Sequence, residues 1–75
     1  MEKELCYFMV NVKGGYSFMV STADPTRDEE DILEVCAKKN LFEDTRDIDN
    51  ADVTDFVSEY DIEHFEEIGC LYNID

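Results

Sequence analysis

The chain has 75 residues, with 20 Asp and Glu against six Lys and Arg, for a net charge of −14. That length allows one domain at most and a modest core. The acid excess excludes direct nucleic-acid binding, which needs Lys and Arg to neutralise phosphates. With 44% hydrophobic and 12% aromatic residues, the chain differs from acidic sequences too poor in apolar groups to fold.

Three cysteines, Cys6, Cys36 and Cys70, make an odd, widely spaced set with no CxxC pair and a single histidine beside them. Neither a zinc site nor a secreted disulfide framework fits that pattern, and free buried thiols in a reducing cytosol are expected. The N-terminal Met1-Glu2-Lys3-Glu4 is charged, and the apolar run after it spans only Leu5 to Val10. A signal peptide or membrane span needs a longer stretch, so a cytoplasmic protein without a membrane segment is expected.

In chain order, residues 5–22 read as a β-hairpin. Leu5 to Val12 is rich in strand formers, Tyr16 to Thr22 alternates, and Lys13-Gly14-Gly15 lies between them. A two-residue Gly-Gly loop would set Asn11 opposite Phe18 and mix polar with apolar groups on each face. A three-residue loop sets Val12 opposite Tyr16, Val10 opposite Phe18 and Phe8 opposite Val20, which makes one face apolar throughout. The other face, with Tyr7, Met9 and Met19 beside Ser17 and Ser21, is half apolar.

A helix follows. Asp24-Pro25 suits an N-cap with proline at the first helical position, and Thr26 to Glu29 offers an alternative capping box. Asp28 to Asp31 at its start and Lys38-Lys39 at its end complement the helix dipole. Ile32, Leu33, Cys36, Ala37 and Leu41 form a stripe that packs on the hairpin, and Asn40 closes the helix. Residues 43–50 read as a loop. Val53, Phe56, Val57 and Tyr60 recur at helical spacing, as do Ile62, Phe65 and Ile68, so short helices over 51–60 and 61–68 are expected. A third strand at 53–60 is the alternative. Gly69 ends the last helix, and residues 70–74 form an extended tail able to join the sheet. The fold class is α+β, a single domain over residues 1–75.

No residue set points to catalysis. His64 is alone between Glu63 and Phe65, which reads as a surface helix position. Carboxylates abound, but acid–base work needs one desolvated beside another that stays charged. Gly14-Gly15 is no phosphate loop, since a strand follows it. Laid on a calcium loop, Asp47 and Asp49 fit the first ligand positions, but Ala51, Asp52 and Ser58 fail the later ones. Neither enzyme activity nor a metal or other cofactor is expected.

The acids themselves are unevenly placed. Residues 43–67 hold eleven, Glu43, Asp44, Asp47, Asp49, Asp52, Asp55, Glu59, Asp61, Glu63, Glu66 and Glu67, against the lone Arg46. If 51–68 is helical, Asp52, Asp55, Glu59, Glu63 and Glu66 line one face about 6 Å apart, against roughly 3.4 Å per charge along one DNA strand. A charge run is as readily a solvated face. Its combination with small size, a real core and no catalytic set favours a partner surface that is basic. Asp47, Asp49, Asp52, Asp55, Glu59, Glu63 and Glu66 are the expected partner-binding residues.

In its size, its acidity and its acidic stretch 43–67, the chain resembles the small anti-defence proteins of phages and mobile elements, the anti-CRISPR and anti-restriction proteins that imitate DNA. The resemblance implies an inhibitor in the host cytoplasm that blocks the DNA site of a basic nuclease complex. An antitoxin or immunity protein against a basic toxic nuclease is the alternative. So is an interaction module whose acidity is incidental and which would bury an apolar patch such as Tyr7, Met9 and Met19.

Overall fold

The structure, a computed structural model, describes residues 4–55 and 57–75. Met1 to Lys3, and Phe56 from the expected helical repeat, lie outside the described residues. Strands β1 (Cys6–Val12) and β2 (Tyr16–Thr22) are followed by helix α1 (Glu29–Lys38). A short 3-10 helix (Thr45–Asn50), strand β3 (Ala51–Thr54), helix α2 (Glu59–Glu67) and strand β4 (Leu71–Asn73) complete the order. The four-stranded sheet runs β3-β1-β2-β4, with β1 antiparallel to both neighbours and β4 parallel to β2. This is an α+β fold.

The hairpin takes the three-residue loop. Val12 faces Tyr16, Val10 faces Phe18 and Phe8 faces Val20. The side chains of Val10, Val12, Phe18 and Val20 therefore share one face, where they are buried with Ile32 and Cys36 of α1, Phe42 and Ile74. On that face Phe18 meets Phe42 and Tyr72 edge-on, with ring centroids 5.6 and 5.8 Å apart.

The other face is covered as well. Met19 points away from the α1 cluster by strand alternation, yet it is wholly buried. The helix that touches β2 and β4 is α2, so α2 closes this side over Met19. The half-apolar face of Tyr7, Met9 and Met19, the candidate dimer patch of the interaction-module alternative, is thus partly covered within the chain, with Tyr7 and Met9 half-buried.

Helix α1 begins later than expected. Asp24 Oδ1 accepts from the Thr26 N–H at 2.9 Å and from the Thr26 hydroxyl at 2.5 Å, closing a local turn that holds Pro25 outside the helix. Asp28 caps instead, accepting from the Asp31 N–H at 2.8 Å. The helix ends where expected. Asn40 has φ 57°, its N–H reaches Ala37 O at 3.1 Å, and the Leu41 N–H reaches Cys36 O at 3.0 Å. These two bonds make a Schellman motif with asparagine in the left-handed position. Helix α2 ends the same way: Gly69 has φ 76°, and the Gly69 and Cys70 N–H groups bond Glu66 O and Phe65 O.

The expected helix over 51–60 is replaced by β3 and a bend. Ala51 sits opposite Val12 and Val53 opposite Val10, both turned into the core, while Asp52 and Thr54 are exposed. The period is two, and completing the sheet beside β1 outweighs the helical spacing of Val53 and Val57. Residues 45–50, expected as loop, wind into the 3-10 helix. The strand alternative at 53–60 is right in kind and too late in position. The three thiols are free, but only Cys36 is buried, with Cys6 and Cys70 half-covered. Among the described residues no helix is long and apolar enough to cross a membrane.

Candidate acidic interaction surface

The seven expected partner-binding acids do not lie on one helix. Asp47 and Asp49 belong to the 3-10 helix, Asp52 to β3, Asp55 to the bend after it, and Glu59, Glu63 and Glu66 to α2. The single acidic ridge over 51–68 is therefore replaced by two pieces. The first is a row along α2, where Glu59, Glu63 and Glu66 keep their i, i+4, i+7 spacing and are all exposed. The second is a fringe around β3 made by Asp49, Asp52 and Asp55, also exposed. Asp52 projects from the sheet face opposite α1, the side on which α2 lies, so it and the α2 row share one side of the molecule.

Asp47 has a different task. Its Oδ2 accepts from the Tyr16 hydroxyl at 2.6 Å and from the Asp44 N–H at 3.3 Å, and the residue is half-buried. Asp44 answers by capping the Arg46 N–H at 2.9 Å, and the two residues form a capping box. Tyr16 in turn accepts from the Glu43 N–H at 3.0 Å. Asp47 is spent on fastening the 3-10 helix to the start of β2.

Three of the cations, Arg27, Lys38 and Arg46, are also committed. Arg27 bridges Asp31 at 2.9 Å and Asp75 at 3.5 Å, and its Nε donates to Thr22 Oγ1 at 3.1 Å. Lys38 pairs with Glu34 and Arg46 with Asp44. No Lys or Arg occurs from residue 47 to residue 75, where the acids are Asp47, Asp49, Asp52, Asp55, Glu59, Asp61, Glu63, Glu66, Glu67 and Asp75.

Three carboxyls are held below the ordinary carboxylate range by hydrogen bonds. They are Asp24 by Thr26, Asp44 by Arg46, and Asp75 by the Thr22 hydroxyl and the Ala23 N–H. Asp75 and Asp24 border an open groove together with Ala23, Pro25 and Arg27. Burial pushes the Cys36 thiol up to about 11, so it stays protonated and unreactive at neutral pH. Among the described residues no group of three or more His, Cys, Asp or Glu side chains is placed to hold a metal ion.

One feature of α2 escaped the sequence reading. Tyr60 is 76% exposed and Ile68 53% exposed, eight residues apart on the outer face. His64 lies between them, with its ring parallel to Tyr60 at a centroid distance of 6.3 Å. These rings and Glu63 and Glu67 border a shallow cleft of about 110 Å³. The signal lay at Ser58. It caps α2 by accepting from the Asp61 N–H at 3.2 Å, and its hydroxyl donates to Asp61 Oδ2 at 2.8 Å. Starting the helix after Ser58 separates Tyr60 from the inward stripe of Ile62 and Phe65.

No family model, no curated protein and no solved structure matches the chain.

Proposed function

We propose that the protein is an acidic inhibitor that acts by binding, without turning over a substrate. Its partner in this reading is a basic nucleic-acid-binding protein, a host-defence nuclease complex of the anti-CRISPR type, whose DNA site it occupies in the host cytoplasm. The observation that carries this reading is the stretch from residue 49 to residue 67, which holds no Lys or Arg and exposes Asp49, Asp52, Asp55, Glu59, Glu63, Glu66 and Glu67. Such a surface accelerates encounter with a basic cleft and repels other acidic macromolecules.

The test is capture of the tagged protein's partner from host lysate, elution along a salt gradient, and competition with duplex DNA. A nucleic-acid-handling protein that elutes as salt rises and is displaced by DNA is the expected result. Reversing Asp52, Glu59 and Glu63 to Lys should abolish capture with the fold intact. Asp47 is left out because it holds the 3-10 helix. Capture unchanged by these reversals would sink the reading.

The exposed Tyr60 and Ile68 favour a second reading, a protein-interaction module in which α2 docks through its aromatic and aliphatic face. An antitoxin or immunity protein would combine that face with the acids. A partner retained equally well at high salt, and lost on Tyr60→Ala, would select this reading.

A further inference from the structure

The sheet is open at β3. The Lys13 N–H donates to Asn50 O at 2.9 Å, and that pair continues the register of Asn11 with Asp52 and Met9 with Thr54. In an antiparallel ladder, alternate pairs exchange both bonds. Lys13–Asn50, Asn11–Asp52 and Met9–Thr54 are therefore the bonded pairs, and Ala51 and Val53 turn their N–H and C=O groups away from β1. Among the described residues no backbone group meets them, and β3 has β1 as its one sheet neighbour. The strand is anchored on both flanks, by the Ala51 and Val53 side chains in the core and by the Tyr16–Asp47 clamp ahead of it. Such an edge is a ready template for another strand.

The charge around the edge selects what can be added. Asp49, Asp52 and Asp55 are exposed along it. Of the cations adjoining it along the chain or across the ladder, Arg46 is paired with Asp44 and Lys13 lies at the hairpin turn. A second copy of the chain is disfavoured. The antiparallel register that uses both outward residues of each copy sets Asp52 directly opposite Asp52, and like charges there destabilise. The carboxylates that repel a copy attract a basic strand.

We infer that the β3 edge docks an extended, Lys- or Arg-bearing segment of the partner, added as a further strand beside Ala51–Thr54. This rests on the reading that the partner is basic. Main-chain bonds from Ala51 and Val53 supply the register, and a cation opposite Asp52 supplies the choice of segment.

The test uses two nine-residue peptides of alternating Lys and Val. They are identical except that the second is N-methylated at every residue, which keeps the side-chain charge and removes the backbone donors of both edges. With isotope-labelled protein, amide exchange at Ala51 and Val53 should slow by roughly tenfold or more on saturation with the first peptide and stay unchanged with the second. Val53→Pro removes an outward-facing donor and no bond to β1, so it should lose the first peptide while keeping the cross-strand contacts of β1 with β3. If that variant unfolds, the peptide pair still decides. Equal binding of both peptides without protection would overturn the strand edge and leave the acidic-surface reading standing. Failure of both to bind would overturn the two together.

Discussion

The phenol of Tyr16 donates to Asp47 and accepts from the Glu43 N–H, so one oxygen ties β2, the loop after α1 and the 3-10 helix. Removing it by Tyr16→Phe leaves the Glu43 N–H and one Asp47 contact unpaired. We expect a loss of about 1 to 2 kcal/mol by urea denaturation. Asp49→Ala, on the same 3-10 helix but exposed, should stay within about 0.5 kcal/mol of the parent. The contribution of Tyr16 also depends on pH. Burial, and next the hydrogen bond to Asp47, push the Tyr16 phenol above its ordinary value. The folded state thus holds that proton more tightly than the unfolded chain. Its contribution is complete below the unfolded pKa near about 10 and is lost as pH rises through the folded one. The stability gap between parent and Tyr16→Phe should therefore narrow at high pH. A gap constant through that range would mean that the hydroxyl contributes nothing through its proton.

At the scale of elements, what could be read from sequence depended on how many residues voted together. The hairpin was legible because a one-residue change of loop length flips every side chain, and only one register kept Phe8, Val10, Val12, Phe18 and Val20 on one face. Strand β3 was not, since Ala51-Asp52-Val53-Thr54 gives two inward residues, too few to outweigh the helical spacing that follows. The start of α1 was missed because Asp24 and Asp28 are both able caps, and only the hydrogen bonds of Asp24 to Thr26 show which one closes a turn instead. The acidic site inherited the β3 error. The residues are exposed apart from Asp47, but strand and helix share what was expected of one helix.

The two helix ends were legible, and they make a matched pair for measurement. Asn40 and Gly69 hold equivalent left-handed positions, with φ 57° and 76°. Nothing lies within 4 Å of a Cβ placed on Gly69, so Gly69→Ala tests backbone strain without a clash. Gly69→Ala should destabilise by about 1 kcal/mol and Asn40→Gly should stabilise by somewhat less. Chemical denaturation of both variants checks the signs. A stabilising Gly69→Ala would mean that α2 does not end in the geometry described.

For the molecule as a whole, the balance lies between self-repulsion and the few pairs that offset it. With a net charge of −14, and with Arg27, Lys38 and Arg46 already engaged by their own acids, the remaining carboxylates repel one another. Added salt should screen that repulsion more than it weakens the exposed pairs, so Tm should rise by a few degrees between about 0.05 and 0.5 M NaCl. Acid acts in the opposite direction through Asp24, Asp44 and Asp75. Their folded pKa values are depressed, so the stability they add is present above the unfolded pKa and is lost as pH falls through the folded values, below about pH 4. The salt response also separates fold from function. If the acids serve a basic partner, the salt that raises Tm of the free protein must weaken the complex, and the two measurements move in opposite directions over one titration. A Tm that falls with salt would show that the internal pairs outweigh the repulsion. The high charge would then be no burden on the fold, and a basic partner would not be needed to account for it.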